Sequence, residues 1–269
     1  MKPPISYYGA KNNMLPHILP LIPQHKVYVE PFFGSGAVFW AKPKSKVEVI
    51  NDINDNLINF YRVMKTDFEA LQMEIECTLH SRSQWDRAKE IYLNPDKYDA
   101  VIRAWAMWVQ ANMSFGNVTL GGWSFSKRNR RHGDGSNSEM IYKKDCFDEY
   151  KFRLKWASIE CNDAIKVIET WDSEDTFFFF DSPYPESDCG HYTEHKEVYY
   201  RLLEALPTIK GKFLMSSYPS DELNAVREAM GLNTKDVVKA LSVDGRRKET
   251  KTKTECLSWN YSEPQLKLF

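Results

Sequence analysis

Asp181-Ser182-Pro183-Tyr184 places a carboxylate, a backbone carbonyl and an aromatic ring on one short stretch, directly after four consecutive phenylalanines. Pro183 fixes its own φ and restricts Ser182, so the stretch is stiff. A planar amine can donate its two N–H groups to the Asp181 carboxylate and the Ser182 carbonyl while Tyr184 stacks on the attached heterocycle. Taken alone, the same residues are ordinary turn chemistry with a tyrosine capping the core. A second cluster, Gly34-Ser35-Gly36 with Asp52, suits a nucleoside. A glycine turn lets the backbone approach a ligand, and a carboxylate ending the next strand accepts two hydrogen bonds from ribose hydroxyls. The third glycine of a dinucleotide fingerprint is missing, because position 39 is Phe39, and no Gly-Lys-Ser/Thr loop for a triphosphate occurs. Short glycine motifs arise often by chance, so the turn by itself fits a plain turn beside a surface aspartate equally well.

These residues need elements to position them. Val27 to Pro31 reads as a strand, Ala37 to Trp40 as the start of a helix, Val47 to Asp52 as the next strand and Asp55 to Met64 as a helix. This order is a βαβ unit and predicts a parallel sheet within an α/β fold. From Lys65 to Tyr150 helical periodicity dominates, with Ile91, Ile102, Trp105 and Val109 facing inward, and this region interrupts the sheet as an insertion. Gly116 to Asn137 is rich in Gly, Ser, Asn and basic residues and reads as a loop or hairpin. Strand signals resume at 156–161, 177–181, 212–217 and 255–261, with a helix over 199–206. The run Phe177 to Asp181 is apolar without alternation, as expected of a strand buried on both faces.

Composition narrows the function class. Of 269 residues, 42% are hydrophobic and 14% aromatic, enough for a packed core and against disorder. The net charge of −1 gives no nucleic-acid signature for the chain as a whole, so any basic surface is local. Lys127-Arg128-Asn129-Arg130-Arg131-His132, preceded by Trp123 and Phe125, mixes cations with aromatics in the way phosphates and bases require. Arg246-Arg247-Lys248, followed by Lys251 and Lys253, is a second basic cluster, although solvated charge runs are common. The five cysteines are odd in number and form no CxxC pair, which predicts reduced thiols. The spacing of Cys189, His191 and His195 matches no standard metal site, and no metal is expected. The N-terminus has no apolar signal-peptide region, and no apolar run is long enough to span a membrane.

The two motifs together, in this order, resemble the Dam-type (D12 class, α group) DNA adenine-N6 methyltransferase family. Tyr7-Tyr8-Gly9-Ala10-Lys11 is similar to that family's aromatic-x-Gly-Gly-Lys motif, and Glu30-Pro31-Phe32-Phe33-Gly34-Ser35-Gly36 to its EPFxGxG loop. Asn51-Asp52-Ile53-Asn54 resembles the acidic motif of the second strand, Asn162-Asp163-Ala164 the third-strand segment, and Asp181-Ser182-Pro183-Tyr184 the DPPY motif. Two positions depart from the pattern: Ser182 stands where Pro is usual, and Ala10 where Gly is common.

The resemblance implies a Rossmann-like, S-adenosylmethionine-dependent methyltransferase sheet with a mainly helical inserted DNA-recognition domain. Residues 1–64 and 151–269 would form the catalytic domain and 65–150 the insertion. Tyr7, Lys11 and Phe33 would line the cofactor site, Gly34 and Gly36 would approach the methionine end, Asp52 would hold the ribose, and Asp163 would face the adenine. Asp181, Ser182, Pro183 and Tyr184 would form the catalytic loop, with Asp181 also beside the cofactor. Lys127, Arg128, Arg130 and Arg131 would contact DNA. The implied reaction is methylation of adenine N6 in duplex DNA after base flipping, with S-adenosylhomocysteine as product and no metal. The implied enzyme is a monomer or weak dimer in the cytoplasm of a prokaryotic or phage-infected cell, with or without a partner restriction enzyme. The same amine chemistry also suits cytosine N4, RNA or a protein glutamine, and an inactive DNA-binding relative is a further reading.

Overall fold

The computed structural model describes residues 1–125, 140, 142–145, 147–183, 193–240 and 252–262. The chain forms two compact units that do not follow chain order. One comprises Met1–Leu15, Phe33–Pro43 and Asp52–Cys161, the other Pro16–Phe32, Lys44–Asn51 and Asn162–Phe269.

Seven strands belong to one sheet. The second unit carries β1 (Val27–Glu30), β2 (Val47–Asn51), β4 (Thr176–Phe180), β5 (Lys212–Ser217), β6 (Asn233–Ala240) and β7 (Thr252–Trp259) in the order β2-β1-β4-β5-β7-β6. The remaining strand, β3 (Ser158–Glu160), lies in the first unit's stretch of chain. β1 runs parallel to β2 and β4, and β4 to β5, whereas β7 is antiparallel to β5 and β6. This is the α/β methyltransferase-type sheet expected, with an antiparallel pair at one edge. The parallel strands are covered on both faces, so their sequences are apolar throughout: all five positions of β4 are buried. Val29, Val49, Phe178, Phe180, Phe213 and Met215 face one layer of helices, α8 (Ala164–Trp171), α9 (Thr193–Ala205) and α10 (Asp221–Met230). On the other face Phe177 meets His25, Tyr28 and Tyr261. Strand order reverses between β1 and β4, and the crevice at the carboxyl ends of such a pair is where open α/β sheets bind ligands.

The first unit is helical. α2 (Ala37–Ala41) follows the glycine turn, while a single turn, α1 (Leu15–Ile18), with residues 16–18 in the second unit, precedes β1 in the chain. α3 (Asp55–Thr66), α4 (Phe68–Glu76) and α5 (Arg82–Leu93) all pack on α6 (Ala100–Met113), and α7 (Phe147–Leu154) contacts α3. α6 is buried at Ala104 to Ala111 without a break, so it is apolar nearly all round, as an enclosed helix must be. Ile91, Trp105 and Val109 are in the core as expected, while Ile102, in the first turn of α6, is half-buried. All of residues 65–150 lie in this unit, which also takes in the N-terminal segment and the glycine turn.

The structure departs from the expected elements at several points. The strand expected over 156–161 is confined to Ser158–Glu160, and Trp156 is 64% exposed outside it. The helix expected from 199 begins at Thr193. β6 had no sequence signal because it is a charged, exposed edge strand with no buried face to impose alternation.

Candidate active site

The glycine turn is built around Asp52, the residue after β2. Its Oδ2 accepts the Gly34 N–H at 2.9 Å and its Oδ1 accepts the Asn54 N–H at 3.0 Å. Gly34 and Gly36 have φ of +49° and +67°, in the left-handed region that side chains disfavour. A Cβ on Gly36 would lie 2.2 Å from the Phe33 ring, and one on Gly34 would lie 3.2 Å from the Tyr7 ring. The bare Cα atoms therefore admit two aromatic rings. Phe33 is 2% exposed and packs edge-on against Phe39 and Tyr61, whose hydroxyl donates to the Gly34 carbonyl at 3.2 Å. Expected as a lining residue, Phe33 is instead packed into the core, because Gly36 leaves a hole that its ring fills.

The N-terminal motif belongs to the same unit. Lys11 is buried and its Nζ donates to the Gly9 carbonyl at 2.9 Å. Gly9 has φ of +79°, whereas Ala10 sits at φ −51°, ψ 133°, where alanine is unstrained. The Ala10 departure from the family pattern is thus accommodated locally. Asn54 caps α3 by accepting from Asn56 N and Leu57 N, and its Nδ2 donates to the hydroxyls of Tyr7 and Tyr92. Sequence reasoning did not find Tyr92. Its phenol is pushed up by burial and by the negative charge of Asp52, against the opposing effect of the Asn54 and Asn56 side chains. Ile53, between Asp52 and Asn54, is 68% exposed.

In the second unit, Asp181 follows the last residue of β4 and is half-buried. Ser182 is 1% exposed, and its Oγ has no hydrogen-bond partner among the described residues. Tyr184 lies outside the described residues. Asn51, the last residue of β2, is fully buried. Its Nδ2 donates to the carbonyls of Pro31 and Asn162, and its Oδ1 accepts the Asn162 N–H, at 2.9–3.0 Å. It ties the exit of β1 to the start of the segment leading into α8. Asp163 caps α8 through Ile165 N and Lys166 N and receives both terminal nitrogens of Arg201, at 2.8 and 3.0 Å. The Arg201 guanidinium holds the Asp163 carboxyl below the usual carboxylate range, with burial opposing. The expected role of Asp163 at an adenine meets a carboxylate already committed to a helix end and a cation.

Within the stretch 65–150, expected to be the DNA-recognition insertion, a tight hairpin spans Met113 to Ser124. Ser124 N donates to the Met113 carbonyl and Phe115 N to the Gly122 carbonyl, each at 2.7 Å, around the Ser114–Trp123 bridge. Gly116 has φ of +67°, and a Cβ on Gly121 would press on the Val118 carbonyl at 2.8 Å, so these glycines are demanded by the turn. Phe115, within the loop, is 73% exposed. Trp123 stacks with Phe125, its ring 4.7 Å below Arg82. Lys127, Arg128, Arg130 and Arg131, the cluster Arg246 to Lys248 with Lys251, and Cys189 with His191 lie outside the described residues. Lys253 is described, with its Nζ 3.5 Å from the centre of the Tyr218 ring. No helix among the described residues is long and apolar enough to cross a membrane.

Compared with known proteins, residues 7–253 match the family described as D12 class N6 adenine-specific DNA methyltransferase. The chain is similar to the type II methyltransferase M1.LlaDCHI of Lactococcus lactis subsp. cremoris, with 30% identity over 83% of each chain. It is similar to the type II methyltransferase M.MjaIII of Methanocaldococcus jannaschii, with 26% identity over 88% of this chain and 91% of that one. A DNA adenine methylase of Vibrio cholerae is 25% identical over 71% of this chain and 68% of its own.

Proposed function

Because the chain belongs to the D12 class N6 adenine-specific DNA methyltransferase family and is itself an adenine-specific DNA methyltransferase, we propose that its methyl donor is S-adenosylmethionine and that Asp181, Ser182 and Tyr184 hold the target amine. The observation that carries the cofactor reading is the Asp52–Gly34 hydrogen bond, which fixes a carboxylate beside a left-handed glycine turn. A carboxylate that ends a strand beside such a turn suits ribose hydroxyls. Ile53, exposed next to it, offers an apolar surface to a purine face. The residues present fit a nucleoside carrying a charged methionine end.

Bound S-adenosylmethionine supplies an electrophilic methyl group on a sulfonium. The chain's own residues prepare the nucleophile. An exocyclic adenine amine is weakly nucleophilic because its lone pair is delocalised into the ring. The Asp181 carboxylate and the Ser182 carbonyl accept the two N–H bonds and favour a pyramidal nitrogen, with the lone pair out of the ring plane. This is alignment and electrostatic stabilisation, and Asp181 need not be a strong base. The base leaves the duplex to reach this loop, at a cost of a few kcal/mol. Stacking on Tyr184 offsets about 1–3 kcal/mol of it.

Tyr7 and Lys11 line the cofactor site, and Phe33 acts from beneath the glycine turn. Asp163 is assigned to the helix cap. Phe115 and Phe125 meet bases, and Lys127, Arg128, Arg130 and Arg131 meet phosphates or a guanine edge. A cytoplasmic monomer or weak dimer acting on duplex DNA completes the reading. Transfer of labelled methyl groups to duplex DNA, followed by nucleoside analysis, tests it. Label in N6-methyladenine is expected, and label in another nucleoside, or no transfer, overturns it.

A further inference from the structure

α5 belongs to the stretch expected to read DNA, yet its last turn reaches the cofactor loop. Asn54 Nδ2 donates to the Tyr92 hydroxyl at 3.1 Å, and Asn56 Nδ2 donates to the Tyr92 carbonyl at 3.1 Å. Asn54 is thereby held from both sides, since its own N–H is fixed on Asp52. The Tyr92 hydroxyl is the acceptor in its contact with Asn54. Seven residues earlier on the same helix, the Trp85 indole donates to Ser114 Oγ at 3.0 Å, at the base of the hairpin. Gln110 Nε2 holds the Trp85 carbonyl at 2.9 Å. One rigid helix thus carries a contact to the hairpin and a contact to the loop.

We propose that Tyr92 is a positioning residue of the cofactor site: through Asn54 it sets the Asp52 carboxylate for the ribose, so the inserted segment supplies part of the cofactor pocket. This rests on the reading of Asp52 as the ribose-holding residue. Burial is the main cause of the raised pKa of the phenol, and the charge of Asp52 adds to it in the same direction. The role is one of binding. Losing the hydroxyl weakens the hold on the cofactor in ground and transition state alike, which raises KM and leaves the saturated rate unchanged.

The test is a double-mutant cycle with Tyr92→Phe and Asp52→Asn in the full chain, read by calorimetric titration of S-adenosylhomocysteine. Tyr92→Phe keeps the ring and removes only the hydroxyl. It is expected to weaken affinity about 2- to 12-fold, the range for one net hydrogen bond, and to raise the KM for S-adenosylmethionine while single-turnover rates at saturation stay the same. In the Asp52→Asn background the effect of Tyr92→Phe should shrink, because the two act through one carboxylate. Asn54→Ser, which keeps a capping oxygen and removes the amide donor, should reproduce the Tyr92→Phe phenotype if the latter folds poorly. Unchanged affinity in folded Tyr92→Phe, or full additivity with Asp52→Asn, overturns the proposal. If Asp52→Asn alone leaves affinity unchanged, the cofactor reading of the loop falls and takes this inference with it.

Discussion

The carboxylate of Asp52 closes the glycine turn by accepting the Gly34 N–H, 18 residues away in the chain. Asp52→Ala therefore removes two things at once: a ribose acceptor and the bond that shapes the loop. Hydrogen bonds to a charged group contribute about 1.5–3 kcal/mol, so S-adenosylhomocysteine should bind about 10- to 100-fold more weakly. Calorimetric titration checks this, with circular dichroism as the folding control. Unchanged affinity in a folded variant removes Asp52 from the site.

Asp181→Ala should abolish methyl transfer while DNA binding survives. Ser182→Pro should keep near-normal single-turnover rates, because only the backbone carbonyl acts. The structure adds that the Ser182 hydroxyl is buried and has no partner among the described residues. A buried, unsatisfied hydroxyl is unfavourable, so Ser182→Ala should be neutral or slightly stabilising in thermal unfolding. Near-normal turnover by Asp181→Ala would sink the mechanism.

Gly36→Ala should be strongly destabilising. The left-handed φ contributes about 1–2 kcal/mol and the collision with Phe33 about 1–3 kcal/mol. Phe33→Leu in the same chain should recover part of the second contribution. Urea unfolding of the single and double variants measures both, and a Gly36→Ala protein as stable as the parent contradicts the packing described.

Asp163→Ala should lower stability by about 0.5–2 kcal/mol, the usual worth of a helix cap, and leave cofactor affinity untouched. Because Arg201 depresses the folded pKa of Asp163, its contribution is complete above the unfolded value of about 4 and is lost as pH falls through the folded value. The stability gap between parent and variant should thus be full at neutral pH and close in acid. A variant that loses cofactor affinity at neutral pH restores Asp163 to the site.

Phe115→Ala should weaken DNA binding by about 1–3 kcal/mol, the value of one base stacked on an aromatic ring. The salt dependence should not change, since no charge is lost. Filter binding at two ionic strengths reads both, and unchanged affinity assigns the exposed ring another role.

Several parts of this molecule were legible as sequence for plain physical reasons. β4 could be read because a strand covered on both faces has no polar position to hide, and its four phenylalanines say so. The two loops that follow β1 and β2 were legible because glycine at left-handed φ and a carboxylate at a strand end leave few alternatives. Tyr92 was not legible, because a half-buried tyrosine at the end of an amphipathic helix looks like any other until Asn54 is placed against it. Phe33 was misleading for a related reason: it sits inside the motif, yet the motif's glycine exists partly to make room for it. Asp163 reads in the sequence only as a carboxylate at a strand end, because its ion pair with Arg201 joins residues 38 apart in the chain.

The register of β1 has a consequence for synthesis. Val27 pairs with Val47 on one side but with Thr176 on the other, so one edge of β1 has no neighbour until the whole helical stretch between them has been made. At roughly 5–20 residues per second of translation, β1 and β2 wait on the order of ten seconds with an apolar edge uncovered. The nascent chain is therefore most exposed to aggregation after its first hairpin-free pair of strands has emerged and before the phenylalanine strand leaves the ribosome. Slowing translation across the helical stretch lengthens that interval, and chaperone dependence should rise with it.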